Sequence, residues 1–196
     1  MYARSLTIVL SIVLVITGVV GLGSTIAEAP LATSNTYLLS PVEGDIFNSN
    51  NITLQLRTPG GLLGPGGIPL IITHTFEVYR EGVYHIGGSR TGTGLVTTDY
   101  EIPLDNLPDG NYQVTDKVTS LLLSVTESAR FIVDTTDPQV SIQYPQPGTW
   151  LSASDVTFRW TPTDGLSGID RSEVRLDGGD WQNVGAATSV TLPARS

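Results

Sequence analysis

The pattern of apolar and polar positions divides the chain near residue 30. Arg4 is the only charged residue before Glu28, and the stretch between them is dense in leucine, isoleucine and valine. A charged start, a long apolar middle and a small-residue exit are typical of a secretory signal, and about twenty apolar residues also span a bilayer. We therefore predict that residues 1–29 form a hydrophobic helix that is a signal peptide cut after Ala27, or an N-terminal membrane anchor.

The rest of the chain has the texture of strands and turns. From Thr33 onward, short runs rich in valine, isoleucine, threonine and tyrosine alternate with clusters of glycine, proline, asparagine and aspartate, a pattern typical of an all-β fold. Apolar and polar residues alternate strictly in residues 52–56 and 156–160. Because successive side chains of a strand point to opposite faces, each strand has one buried and one wet face. We predict antiparallel β-sandwiches with few helices.

The same strand pattern occurs twice. Residues 41–56 and 145–160 share a proline, a glycine, an apolar pair, a polar turn and an alternating strand, at a constant offset of 104 residues. A second match, residues 77–82 with residues 173–178, lies at an offset of 96 residues. The difference places eight extra residues in the first copy, within its glycine-rich stretch. Such self-similarity indicates an internal repeat. Glu81-Gly82 in the first copy and Asp177-Gly178 in the second copy each predict a hairpin turn.

A tyrosine near the end of the first copy carries topological information. The turn at residues 107–111 leads to Tyr112, which lies on one strand face together with Val114 and Val118. A turn followed by such a tyrosine is typical of the tyrosine corner of Greek-key sandwiches.

The second copy has no counterpart of residues 104–133, which is two strands. It is therefore expected to be part of a longer repeat protein, or to be completed by a partner, because a sandwich without its last strands leaves an open edge. We predict a sandwich over residues 36–134, a linker over residues 135–138 and a partial sandwich over residues 139–196.

Two stretches resemble a known family. Residues 131–138, with the sequence Phe-Ile-Val-Asp-Thr-Thr-Asp-Pro, resemble the junction between bacterial and archaeal Ig-like repeats, and residues 164–181 are similar to the middle of such repeats. The resemblance covers about residues 37–193. It implies tandem immunoglobulin- or fibronectin-III-like sandwiches in a surface or secreted protein, where they act as stalks, spacers or adhesion modules. It brings no catalytic residues.

Composition excludes several functions. The chain has 10 Lys+Arg against 19 Asp+Glu, a net charge of -9, and its one lysine is Lys117. We predict no nucleic-acid partner, since neutralising phosphates needs clustered cations. The absence of cysteine excludes disulfides, zinc–thiolate sites and cysteine nucleophiles. No catalytic constellation is recognisable, so we predict no catalytic, cofactor-binding or metal site, no cofactor, and no enzymatic activity.

Four aspartates deserve comparison with a calcium site. Asp134, Asp137, Asp164 and Asp170 fall near the predicted linker and in loops, and Ca²⁺ takes six to eight oxygen ligands. Aspartate also suits turns because it bonds its own backbone, and no Asp-x-Asp-x-Asp-Gly loop is present. The turn role is preferred.

The two histidines and three tryptophans have structural explanations. His74 shares a strand face with Ile72 and Phe76, whereas His85 lies on a hairpin strand, so a partly buried histidine is favoured over a shared metal ion. Three tryptophans could stack on sugars: Trp150, Trp160 and Trp181. The first two occupy expected core positions, where large aromatics fill sandwiches, and only Trp181 is expected to be exposed.

Two remaining motifs are weak. Asn51 begins an Asn-Ile-Thr sequon on a turn, which is a glycosylation acceptor in an exported chain. Residues 64–67 are glycine-rich but lack the lysine and the helix of a phosphate-binding loop.

These patterns predict an exported, non-catalytic Ig-like repeat protein, a structural spacer or adhesion module, extracellular or at the cell surface. Its partner would be a protein or a glycan at the cell surface. It would contact the membrane only through residues 1–29, and only if they are not cleaved. The alternatives are an accessory carbohydrate-binding module of a larger secreted enzyme, for which Trp181 is the candidate, and a carboxylate-pair hydrolase.

Overall fold

The computed structural model describes residues 15–17, 37–121, 124–151, 155–175 and 179–193, and these residues are nearly all β. The all-β prediction is therefore confirmed, and the arrangement is compatible with a β-sandwich. In chain order the strands are β1 (Val15–Thr17), β2 (Leu38–Ser40), β3 (Asp45–Phe47), β4 (Ile52–Thr58), β5 (Ile71–Arg80), β6 (Val83–Thr93), β7 (Thr98–Leu104), β8 (Gly110–Thr119), β9 (Ser124–Val133), β10 (Gln139–Tyr144), β11 (Asp155–Thr163), β12 (Arg171–Val174), β13 (Gln182–Gly185) and β14 (Ser189–Pro193). A single 3₁₀ turn spans Pro65–Gly67.

These strands belong to two compact units that divide after Thr135. The first unit contains β2 to β9, and the second unit contains β10 to β14 together with β1.

The first unit consists of two sheets. One has the order β2-β4-β7 and the other the order β3-β9-β8-β5-β6. All neighbours are antiparallel except β3 and β9, which run parallel. The β5–β6 connection is the predicted two-residue hairpin turn, in which Glu81 and Gly82 have φ values of 50° and 78°. Two positive φ angles match the twist of the flanking strands, and glycine adopts one without steric cost.

Apolar residues of both sheets form one core in the first unit. Ile52, Leu54 and Leu56 are buried on β4, as the alternation predicted, and Tyr112, Val114 and Val118 are buried on β8. The cluster combines side chains from both sheets: Leu38, Ile52, Leu54, Leu56, Phe76, Val78, Ile102, Leu104, Leu107, Tyr112, Val114, Ala129, Phe131 and Val133. The two sheets are therefore held face to face by burial of apolar surface.

The second unit has a smaller core. Its sheets have the orders β10-β11-β14 and β1-β12-β13, all antiparallel. Val156, Phe158 and Trp160 on β11 are buried as their alternation predicted, and they cluster with Val174 on β12.

The N-terminal helix predicted over residues 1–29 is not confirmed. The only residues of that range that the structure describes, Val15–Thr17, form a strand, and the remainder lies outside the described residues. An apolar run rich in β-branched residues is read equally well as helix or strand, and here its backbone pairs with β12. Among the described residues, no helix has the length and apolar character needed to cross a membrane.

Candidate functional site

Three polar side chains meet inside the core of the first unit. Thr58, His74 and Asp116, here called the polar cluster, each have a relative exposure of 0%. Strand parity explains their burial. Thr58 continues the inward series 52, 54, 56 on β4; His74 lies between the buried Ile72 and Phe76 on β5; and Asp116 lies between Val114 and Val118 on β8.

The polar cluster is a continuous chain of hydrogen-bonding groups. Thr58 Oγ1 lies 3.0 Å from His74 Nε2, and His74 Nδ1 lies 2.6 Å from Asp116 Oδ2. With a proton on Nδ1, the ring donates to the carboxylate and its Nε2 accepts from the threonine hydroxyl. Thr58 belongs to the three-stranded sheet, and His74 and Asp116 belong to the five-stranded sheet. This series of hydrogen bonds therefore crosses the core from one sheet to the other.

Aromatic residues enclose the imidazole. The rings of Tyr37 and Tyr100 approach His74 edge-on, with centroid separations of 6.3 and 5.8 Å. Gly92 on the edge strand β6 makes room for this arrangement, because a Cβ at that position would collide with the hydroxyl of Tyr100. The polar cluster is therefore packed against ring edges on more than one side.

A second acid flanks the polar cluster. Glu127 on β9 lies directly opposite Asp116 on β8. Its Oε2 accepts hydrogen bonds from the backbone N–H groups of Tyr37 and Leu38, at 3.0 and 2.8 Å, and so ties β9 to the start of β2. Asp116 Oδ1, by contrast, is buried with no hydrogen-bond partner in the structure, an arrangement that costs free energy in a dry core.

The order hydroxyl, imidazole, carboxylate is also that of a nucleophile, its base and the acid that orients the base. A substrate would have to touch Thr58 Oγ1, however, and the three side chains have no solvent-exposed surface. Such contact requires separation of the two sheets. The geometry is therefore that of an internal polar connection between sheets.

Tyr112 forms the expected tyrosine corner. Its hydroxyl donates to the backbone oxygen of Pro108, four residues upstream, at 2.6 Å, and its ring stacks on Phe131 with a centroid separation of 5.1 Å. Burial raises the pKa of the Tyr112 hydroxyl above its ordinary value. The prediction from residues 107–112 is confirmed at the level of this hydrogen bond.

The four aspartates considered for calcium have local surroundings, and among the described residues no group of three or more His, Asp or Glu could hold a metal ion. Asp164 Oδ1 accepts from the backbone N–H groups of Leu166 and Gly168 at 3.1 and 2.7 Å, and thus organises its own loop. Asp170 pairs with Arg171 at 3.0 Å. Asp134 is buried, and its backbone N–H donates to the backbone oxygen of Phe47. Asp137 is exposed.

The structure separates the two histidines in role. His74, expected to be partly buried, is fully buried and has two hydrogen-bonding contacts. His85 on β6 is exposed, and its ring meets Tyr112 edge-on at a centroid separation of 6.0 Å.

One tryptophan prediction is wrong. Trp160 is buried, and its Nε1 donates to Ser172 Oγ at 3.3 Å, but Trp150 is 67% exposed. Its counterpart Ile46 is held by the parallel pairing of β3 with β9, and no strand of the described residues pairs with Trp150 in the same way. Trp181 is 36% exposed, and the guanidinium of Arg175 stacks on it at 4.7 Å.

The two weak motifs have ordinary surroundings. Asn51 is exposed, and its Oδ1 accepts from the N–H of Asn106 at 2.9 Å. The glycine-rich stretch forms a short hairpin-like loop: Leu63 bridges to Pro69, and Leu62 N–H donates to Gly94 at 2.8 Å.

Sequence reasoning did not identify Thr58 or Asp116 as members of a site. The available signal was strand parity, since both residues occupy inward positions of alternating strands, and a polar residue there needs a hydrogen-bond partner.

Comparison with protein-family models and with curated proteins gives no match to this sequence.

Proposed function

We propose that this chain is an exported, non-catalytic protein of Ig-like β-sandwich repeats, which serves as a structural spacer or adhesion module at the cell surface. Its mechanism is geometric: stiff sandwiches hold a functional part away from the membrane, and loop tips or strand edges contact a protein or a glycan. The net charge of -9 would limit nonspecific attachment to anionic surfaces.

The strand order of the first unit carries the proposal. An immunoglobulin-type sandwich divides its strands between two sheets so that the chain crosses from one sheet to the other at several loops. In the first unit, β4 and β7 pair in one sheet, while β5, β6, β8 and β9 lie in the other, so the chain crosses after β4, after β6 and after β7. The hydrogen bond from Tyr112 to Pro108 supports the same assignment, since a tyrosine corner recurs in such sandwiches.

Matching strand ladders support the repeat. In the first unit, Ile52 on β4 lies opposite Leu104 on β7. In the second unit, Val156 on β11 lies opposite Leu192 on β14, and Val156 follows Ile52 by the repeat offset of 104 residues. The central strand of each three-stranded sheet also pairs with a strand from earlier in its own unit, β4 with β2 and β11 with β10.

The enclosed polar cluster supports a mechanical role over a hydrolytic one. It joins the two sheets of the first unit through a hydrogen bond between Thr58 and His74, and its only candidate nucleophile is buried. A hydrogen-bonded network inside the core resists sliding of one sheet over the other, which suits a spacer.

Protease treatment of intact cells that produce the protein tests the proposal. We expect peptides from residues 37–193 to be released before lysis, while a cytosolic marker protein stays intact. Appearance of these peptides only after lysis would contradict export. Intact mass of the native protein separates a cleaved signal from a retained anchor, because retention keeps residues 1–27.

Exposure of Trp150 favours a second candidate function, an accessory carbohydrate-binding module of a larger secreted enzyme. Two tryptophans of the second unit, Trp150 and Trp181, present ring surface to solvent, and aromatic faces suit stacking against apolar surface. Glycan-array binding lost in Trp150→Ala or Trp181→Ala, and retained in a control variant of the exposed Tyr84 in the first unit, would favour it. Absence of glycan binding by the unmodified chain would dismiss it.

A further inference from the structure

One edge of β12 in the second unit is occupied by a strand from the far end of the sequence. β12 pairs with β13 on one side and with β1 on the other. The β1–β12 ladder is antiparallel, with Val15 opposite Glu173, Ile16 opposite Ser172 and Thr17 opposite Arg171. More than 150 residues of chain separate the two strands. The pairing therefore places Val15–Thr17 on a sheet formed by the C-terminal part of the chain.

The first unit shows what normally occupies such an edge. β5 there lies between β6 and β8, both antiparallel to it. Residues 77–82, at the end of β5, match residues 173–178, which begin in β12. By this match β13 corresponds to β6, and β1 takes the position relative to β12 that β8 takes relative to β5.

The strand in that position supplies core surface as well as hydrogen bonds. In the first unit, Val114 of β8 lies opposite Val78 of β5, and both are fully buried. In the second unit, the residue that matches Val78 is Val174, which lines an apolar hollow together with Trp160 and Leu192. An added strand would satisfy the backbone groups of such an edge.

We infer that this edge of β12 is a strand-acceptor site, and that its occupant is the strand Val15–Thr17 of the same chain. The sequence of the occupant fits the site, because valine, isoleucine and threonine have high β-propensity and carry no charge. The inference does not depend on the spacer function. It has one consequence for export: Val15–Thr17 cannot occupy β12 when that stretch is inserted in a membrane or removed by cleavage, so export would leave this edge of β12 without its strand.

A disulfide trap in the full chain tests the inference. The sequence has no cysteine, so Val15→Cys with Glu173→Cys can form one intramolecular bond. Directly opposite residues of an antiparallel pair have Cα atoms about 4.5–5.5 Å apart, within the range that a disulfide spans. The matched control is Val15→Cys with Asn183→Cys. Asn183 lies opposite Glu173 on its other side, two strand spacings from Val15, or about 9–10 Å.

We expect a disulfide-linked monomer in the first variant and at least about tenfold less in the control, measured by intact mass on chains that retain Met1, because Cα atoms more than about 7 Å apart cannot be bridged without movement. Disulfide-linked dimers would overturn the assignment of the occupant in favour of a second copy. Equal yields in both variants, or no disulfide in either, would overturn the site itself.

Amide hydrogen exchange gives a readout that needs no crosslink. Replacement of Val15, Ile16 and Thr17 by proline removes every N–H that β1 can donate, whereas the control Ile16→Val/Thr17→Val keeps strand propensity. We expect exchange in Arg171–Val174 to accelerate about tenfold or more in the proline variant and to stay unchanged in the valine variant, since loss of a paired strand exposes amides. Unchanged exchange in the proline variant would contradict the pairing.

Discussion

The hydrogen bond between Thr58 and His74 gives the sharpest test of how the first unit is held together. Thr58→Val keeps the side-chain shape and removes only the hydroxyl, so it leaves His74 Nε2 without the partner that now lies at 3.0 Å. Both residues are completely buried, so water does not replace the hydroxyl. A buried polar atom left unpaired costs about 1–3 kcal/mol, and we expect a loss of unfolding free energy in that range.

Larger changes in the same cluster distinguish the loss of one contact from the loss of every hydrogen-bond partner of a buried acid. Because Asp116 Oδ1 already has no partner, His74→Leu leaves both carboxylate oxygens of Asp116 unpaired, at an expected cost of about 3–5 kcal/mol. The triple variant Thr58→Val/His74→Leu/Asp116→Leu removes every polar group of the cluster. Replacement of a buried polar set by packed apolar groups is often neutral or stabilising, so we expect the triple variant to be more stable than His74→Leu.

The assay is urea unfolding, monitored by hydrogen exchange of peptides from β4 and β5. Tryptophan fluorescence is unsuitable because all three tryptophans lie in the second unit and do not report on the first. Thr73→Val is the matched control. It removes a hydroxyl from the other face of β5, where Thr73 contacts the exposed Thr91 at 3.2 Å, and we expect a change within about 0.5 kcal/mol. If Thr58→Val costs no more than Thr73→Val, or if the triple variant is no better than His74→Leu, the reasoning fails.

Three further predictions concern neighbouring features of the first unit. Gly92→Ala places a methyl group against the Tyr100 hydroxyl, and we expect a destabilisation of about 1–3 kcal/mol from overpacking, measured by urea unfolding; a neutral effect would contradict the close approach. Tyr112→Phe removes the donor to Pro108 at 2.6 Å and should cost about 1–2 kcal/mol, whereas Tyr84→Phe, at an exposed position, should not. The Arg57 hydrogen bond lowers the pKa of the Asp99 carboxyl, so this pair stabilises the fold above the unfolded value of about 4 and ceases to do so as the pH falls through the lower folded value. The stability difference between the unmodified chain and Asp99→Asn should therefore be present at neutral pH and close in acid; a difference that persists below the folded pKa would refute this.

Alternation along the chain predicted the strands and their buried faces because both follow from a period of two. On β4 and β11, the residues chosen as inward are the buried ones, and a shift of one residue would have reversed every assignment. The same parity placed His74 beside Ile72 and Phe76 inside the core. Local turn chemistry was equally readable, since the Glu81-Gly82 pair does form the two-residue turn.

The polar cluster could not be predicted in the same way. Parity shows that Thr58, His74 and Asp116 all point inward, but their contact depends on which strands are neighbours and in what register. Phe76, not His74, lies directly opposite Asp116, so the hydrogen bond to His74 runs diagonally between strands. Thr58 reaches His74 only because the other sheet packs across the core. Long-range pairing of this kind has no local signature in the sequence.

Trp150 shows that a match between the two copies does not by itself predict burial. An offset of 104 residues equates it with Ile46, and the sequence match is good on both sides, yet Trp150 is exposed while Ile46 is partly buried. Ile46 gains its surroundings from β9, with which β3 pairs in parallel. Burial at the matched position therefore depends on a strand that lies far away in the sequence, and a local match cannot supply it.

For the N-terminal segment, both the local sequence pattern and a distant pairing partner matter. An apolar run satisfies two different environments, a lipid bilayer as a helix or an open sheet edge as a strand, and hydrophobicity alone does not separate them. What decides is whether an edge is available: in the second unit β12 offers one, and Val15–Thr17 pairs with it. The same sequence property that predicts export therefore also suits Val15–Thr17 to pairing as a strand. The two roles exclude each other, so we expect the β12 amides of the second unit to exchange faster in exported chains than in chains that retain Val15–Thr17 in solution.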